Sequence, residues 1–127
     1  MNILQKFIAQ EKDARAFGFD WPNQEAVIYQ VIDECREIRE DIEANASSDK
    51  IQEEIGDLLH AAISLCVFSG FDVEETLEKT SIKFGHRMDA MKKMTKELGM
   101  SHLNGQSTVF MLSLWDKVKM LEKNTVS

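Results

Sequence analysis

Apolar residues along this chain recur mainly at intervals of three and four rather than in alternation, and one proline (Pro22) and six glycines are all that interrupt the pattern. That spacing predicts an all-α protein, a bundle of four to five helices. A first short helix is expected over about 3–15, stopped by the segment AFGFDWPN, whose glycine and proline oppose continuation. A second is expected over 24–44, with Val27, Ile28, Val31, Cys35, Ile38 and Ile42 as its inward stripe, Glu34 at the stripe's edge and Glu37 further round. The polar run NASSD makes the next turn. A third helix starts at Ser48 or Asp49, and its second half, LLHAAISLCVF, is apolar around most of its circumference, as befits a segment covered on several sides in a bundle or at a subunit interface. Gly70 reads as its C-terminal cap, and Asp72 with Glu75 as a capping box for a fourth helix that reaches about Leu98 and closes at Gly99. Beyond the irregular tract MSHLNGQST, a last amphipathic helix carries Val109, Phe110, Leu112, Leu114, Trp115, Val118 and Leu121. There is no internal repeat and no low-complexity tail.

Length and composition narrow the organisation. With 127 residues, 43% of them hydrophobic, the chain suffices for one compact domain over 1–127 and is short for two. A formal net charge of −7 argues against a general grip on a nucleic-acid backbone, which relies on Lys and Arg neutralising phosphate. A small anionic substrate is compatible with that balance if a metal offsets the repulsion. No apolar run approaches the roughly 20 residues needed to span a bilayer, and the N-terminus lacks the layout of a signal peptide. The cytoplasm is therefore the expected location, with no membrane partner. Cys35 and Cys66 sit among apolar residues at no metal-binding or redox spacing, and buried reduced thiols are expected.

Two pairs of carboxylates carry the candidate chemistry: Glu34 and Glu37 in IDECREI, then Glu54 and Asp57 in QEEIGDLL. Residues three apart share a helix face, so each pair can direct two oxygens at one place. Either pair alone is as readily explained by surface charge in a chain with 22 Asp and Glu. Both, however, flank strongly apolar stretches, where charge calls for compensation by a cation or by hydrogen bonds. All-oxygen ligands suit a hard cation such as Mg²⁺, which keeps several waters and can bridge to phosphate. On the fourth helix Lys83 and Arg87 lie four apart beside the stripe Val73, Leu77, Phe84, Met88 and Met91. They are candidates for holding a polyphosphate tail, with an ordinary solvated basic face as the alternative. Trp21 and Trp115 can stack on a nucleobase or simply pack in the core. His60, His86 and His102 share no ligand spacing and are assigned no catalytic role.

The runs GFDWPNQEAVIYQVIDECREIREDI, IQEEIGDLLHAAISL and LEKTSIKFGHRM resemble the MazG family of nucleoside triphosphate pyrophosphohydrolases, of the all-α NTP pyrophosphatase superfamily, over most of the chain. The family's EExxE motif reads here Asp33, Glu34 and Glu37, its ExxD motif Glu54 and Asp57, and its KFxxR segment Lys83 and Arg87. Asp33 departs from the pattern, which leaves Glu34, Glu37, Glu54 and Asp57 as the implied metal ligands. The resemblance implies cleavage of a (d)NTP between the α and β phosphates to a monophosphate and pyrophosphate, dependence on Mg²⁺ with Mn²⁺ as a substitute, and a role in nucleotide-pool control or house-cleaning. It also implies a homodimer or dimer of dimers, in keeping with the broad apolar third helix. With no nucleophilic His or Cys in the pattern, a water activated by the metal or oriented by a carboxylate is the expected attacker. Glu53 is the candidate for orienting it, with a supporting or plain surface role as the alternative. A helical interaction or regulatory module that keeps the fold without turnover is the competing reading.

Overall fold

The computed structural model describes residues 1–125, and among them the chain forms five α-helices and no strand: α1 (Ile3–Phe17), α2 (Gln24–Glu43), α3 (Ser48–Phe68), α4 (Val73–Glu97) and α5 (Thr108–Thr125). Each start is set by a short polar side chain that accepts from an N–H the first turn would otherwise leave unpaired. Asn2 accepts from Gln5 while the Gln5 side chain answers the Asn2 N–H. Asn23 accepts from Ala26, Ser47 from Lys50, Asp72 from Glu75 and Ser107 from Phe110. The expected role of Asp72 is thus met. α1 runs two residues further than expected and stops at Gly18, whose φ of 110° few other residues tolerate.

The chain divides into two compact units, Met1–Thr76 and a second from Leu77 onward. In the first, α2 and α3 form a hairpin across the turn 44–47, and α1 packs on α3. The hairpin is antiparallel: the Gln24 amide at the start of α2 donates to Ser69 at the end of α3 (3.0 Å). Asn45 absorbs the reversal with a φ of 55°, a left-handed conformation that Asn accepts more readily than most residues. In the second unit α4 and α5 enclose Met91, Leu114 and Val118, with Met88, Met94, Leu103, Phe110 and Trp115 packed around them.

The inward face of α2 differs from the expected stripe. Val27 is fully buried and Val31 and Ile38 are half-buried, but Ile28 and Ile42 are 42% and 55% exposed, and Cys35 is exposed rather than buried. The line that faces α3 runs instead through Val27, Gln30, Glu34 and Asp41, at the three- and four-residue steps of one helical face. Apolar spacing showed that α2 has a greasy side; it could not show that α3 covers the neighbouring, partly acidic side. Cys66 is half-buried, its thiol donating to Thr76 Oγ1 (3.4 Å). No single helix among the described residues is long and apolar enough to cross a membrane.

Candidate functional site

Three of the sequence-predicted carboxylates meet between α2 and α3. Glu34, Glu54 and Asp57 each offer an oxygen within 4.8 Å of the others. The antiparallel hairpin does this, because it sets the middle of α2 opposite the first half of α3. Glu34 and Glu54 are each only 8% exposed, while Asp57 is open to solvent. Burying carboxylates is costly unless donors or a cation answer them, and here the donors fall short. Glu34 Oε1 accepts from the Gln30 amide at 2.6 Å, yet among the described residues its Oε2 is buried without a hydrogen-bond partner. Glu54 Oε1 pairs with the Lys50 ammonium at 3.2 Å, which is the main reason its carboxyl is held below the ordinary range.

Two further carboxylates crowd the same place. Glu37 is pushed above the usual carboxylate range by burial first, and then by the charges of Glu34, Glu54 and Asp33. Asp41 is pushed up by burial and then by its contact with Glu54, and its Oδ2 is a second buried oxygen without a donor among the described residues. One lysine against this many carboxylates leaves negative charge uncompensated. An all-oxygen donor set with orphaned buried oxygens fits a hard cation, which Glu34, Glu54 and Asp57 could hold with Glu37 beside them. The Gln30 amide fixes the orientation of Glu34, as supporting hydrogen bonds do for metal ligands.

The other predicted residues fall elsewhere. Asp33 is paired with Arg36 at 2.6 Å, and Arg36 also takes Glu40 at 2.7 Å. Glu53 is exposed and outside the three-carboxylate group. Trp21 lies in the first unit, its indole N–H donating to Ser64 Oγ at 3.3 Å. Lys83, Arg87 and Trp115 belong to the second unit. There the Arg87 guanidinium forks onto Glu122 (2.9 and 3.0 Å) and lies 5.4 Å from the Trp115 ring centre. Glu122 is held below the ordinary range chiefly by Arg87, while Lys83 is exposed. Trp115 packs against the Met91, Leu114 and Val118 core.

Beside the carboxylates is a cavity of about 500 Å³ in the first unit, lined by Phe7, Glu11, Trp21, His60 and Ser64, and by Glu34 and Asp57 of the acidic group itself. Sequence reasoning missed Gln30, Asp41 and Lys50, and also Glu11 and Ser64 on the cavity wall. The first three left a signal: Gln30, Glu34, Glu37 and Asp41 continue one face of α2 in steps of three and four, and Lys50 precedes Glu54 by four. Glu11 and Ser64 left none, since they lie 53 residues apart.

The fold and site define an all-α protein whose antiparallel helical hairpin gathers carboxylates that could hold a cation beside a cavity of about 500 Å³. Residues 23–92 match the model of the MazG nucleotide pyrophosphohydrolase domain, more than half of the chain, and the chain belongs to that family. It is 30% identical over 90 residues to the nucleoside triphosphate pyrophosphohydrolase/pyrophosphatase MazG of Thermotoga maritima, covering 71% of this chain and 34% of that protein. It is 30% identical over 113 residues to a nucleoside triphosphate pyrophosphohydrolase of Escherichia coli K12, covering 88% of this chain and 43% of the relative. The chain thus spans between a third and a half of the length of these curated relatives.

Proposed function

We propose that this chain is a Mg²⁺-dependent nucleoside triphosphate pyrophosphohydrolase, converting a (d)NTP to the monophosphate and pyrophosphate in nucleotide-pool control or house-cleaning. The observation that carries the reading is the convergence of Glu34, Glu54 and Asp57 within 4.8 Å, with an unanswered buried oxygen on Glu34, in a chain of this family. Glu34, Glu37, Glu54 and Asp57 would hold Mg²⁺, or Mn²⁺ in its place. The cation would supply neutralisation of the triphosphate and a lowered pKa for a nearby water. Gln30 keeps Glu34 aimed at the site, and Lys50 balances Glu54 until a cation does so. Glu53 is the candidate for orienting the attacking water. Lys83 and Arg87 would answer charge on the phosphates, Arg87 exchanging Glu122 for a phosphate of similar geometry.

Oligomerisation belongs to the same reading. Ile28, Ile32 and Ile42 on α2 and Ile55 and Leu59 on α3 are 42–62% exposed. Leaving so much apolar surface in water is unfavourable, and a second copy covering it would give a homodimer or a dimer of dimers. Sedimentation as a monomer at micromolar concentration refutes that part.

The deciding experiment is pyrophosphate release from a panel of ribo- and deoxyribonucleoside triphosphates with Mg²⁺ and with chelator, resolving mono- from diphosphate products. Metal-dependent monophosphate plus pyrophosphate is the expected result. No turnover from folded protein that still binds Mg²⁺ overturns it in favour of a non-catalytic interaction module.

A further inference from the structure

The cavity beside the carboxylates has chemistry that metal binding does not use. Its wall carries a buried carboxylate, Glu11, only 9% exposed. Carboxylates are rarely buried unless something requires them there. Glu11 Oε1 accepts from the Ser64 hydroxyl at 2.6 Å and lies 2.9 Å from His60 Nε2. Among the described residues its other oxygen, Oε2, has only a longer contact, 3.5 Å, to the Arg15 guanidinium. That guanidinium is more closely engaged elsewhere, with Asp20 Oδ1 at 2.7 Å and the Ser64 carbonyl at 2.8 Å. Glu11 is therefore clamped through one oxygen and retains accepting capacity on the other.

Ser64 is the hub of the clamp. It is 3% exposed, donates to Glu11, and receives the Arg15 guanidinium and the Trp21 indole N–H, both at 3.3 Å. Arg15 through Asp20 also ties down the connection that carries Trp21, whose backbone N–H donates to Asp20 Oδ1 at 2.7 Å. Aromatic and acceptor groups are thereby held in place before any ligand arrives, which is what selective recognition requires. Phe7 meets the His60 ring edge-on at 5.0 Å, adding a further aromatic wall. A cavity of about 500 Å³ is of the size that takes a small organic ligand.

We propose that this cavity receives the nucleobase of the substrate, and that Glu11 is a specificity-determining residue that selects bases presenting an exocyclic amino group. The assignment rests on the nucleotide reading above and deepens it. Glu34 and Asp57 line both the cavity and the metal group, so a ligand whose phosphates sit at the carboxylates has its nucleoside end beside this wall. A carboxylate can only accept hydrogen bonds. Cytosine, adenine and guanine offer it an amino group, whereas uracil and thymine present carbonyl oxygens on either side of one N–H and set lone pairs against it. A buried group left facing the wrong partner discriminates strongly, because neither side recovers its lost water.

The test is titration calorimetry of the full chain with Mg²⁺ and the nonhydrolysable α,β-imido analogues of dCTP and dUTP, for native protein and Glu11→Gln, with hydrolysis of the natural triphosphates measured in parallel. Native protein is expected to bind the cytosine analogue at least about tenfold more tightly than the uracil analogue. Glu11→Gln, which adds a donor where only acceptors stood, should bring the two within about threefold by weakening one and strengthening the other. Equal affinities in the native protein overturn the proposal without reference to any variant, as does a Glu11→Gln protein that loses both ligands equally. Base-selective binding without cleavage of any triphosphate supports Glu11 and sinks the hydrolase reading. Cleavage without base selectivity does the reverse.

Discussion

Asp57→Asn separates a metal site from a patch of surface charge. Asp57 is exposed and is the one member of the three-carboxylate group open to solvent. Its replacement by an isosteric amide should leave metal-free stability within about 0.5 kcal/mol, as for an ordinary surface change. Metal binding should respond quite differently. At a Mg²⁺ or Mn²⁺ concentration of about 100 times Kd, a bound ion stabilises the native state by about 2.7 kcal/mol. For a chain of this length, each kcal/mol moves Tm by roughly 3–5 °C, giving a rise of about 8–13 °C. If loss of one carboxylate ligand weakens binding about tenfold, the same metal concentration yields about 1.4 kcal/mol and half the rise. Differential scanning calorimetry with chelator and with metal, at matched protein concentration, reads both quantities. Glu53→Gln is the control, since Glu53 lies outside the group and should leave the metal-induced rise unchanged. An undiminished rise in Asp57→Asn, or no rise in the native protein, refutes the reasoning.

Glu54→Gln removes a proposed ligand and also strands Lys50, so it should abolish metal-dependent pyrophosphate release; turnover near the native rate in a coupled pyrophosphate assay contradicts the assignment. Leu114→Ala opens a cavity where the native side chain is 2% exposed and should cost about 2–5 kcal/mol by urea denaturation, with a loss under about 1 kcal/mol counting against a packed α4–α5 core. Glu122 is held below its ordinary value near 4.5 by Arg87, so the pair stabilises the fold above that value and ceases to as pH falls through the lowered one. The Tm gap between native protein and Glu122→Gln should therefore be present at about pH 7 and shrink as pH falls below the ordinary carboxylate range, and a gap constant down into acid rejects the pairing as its source.

The all-α architecture was legible in the linear chain because it follows from local rules. Apolar spacing of three and four excludes strands, and helix ends are written in side chains one turn away from the N–H groups they cap, as Asp72 and Ser47 illustrate. The carboxylate pairs were legible for the same reason, since Glu54 and Asp57 share a face whatever α3 packs against. The face that α2 turns to α3 could not be read this way. Ile28 and Ile42 belong to as good an apolar stripe as Val27 and Val31, and only the crossing of two helices chose the line through Glu34 and Asp41 for burial. The unanswered oxygens of Glu34 and Asp41 arise from that choice, because a carboxylate loses its water only when another element arrives to cover it. Glu11 and Ser64 lie further still from sequence reasoning. Nothing in EKDAR or AISLC pairs them, and their 2.6 Å hydrogen bond exists because α1 docks on α3, bringing together groups 53 residues apart. Local chemistry is encoded every few residues along a chain, but a cavity wall belongs to no single stretch of it and comes into being only when the helices pack.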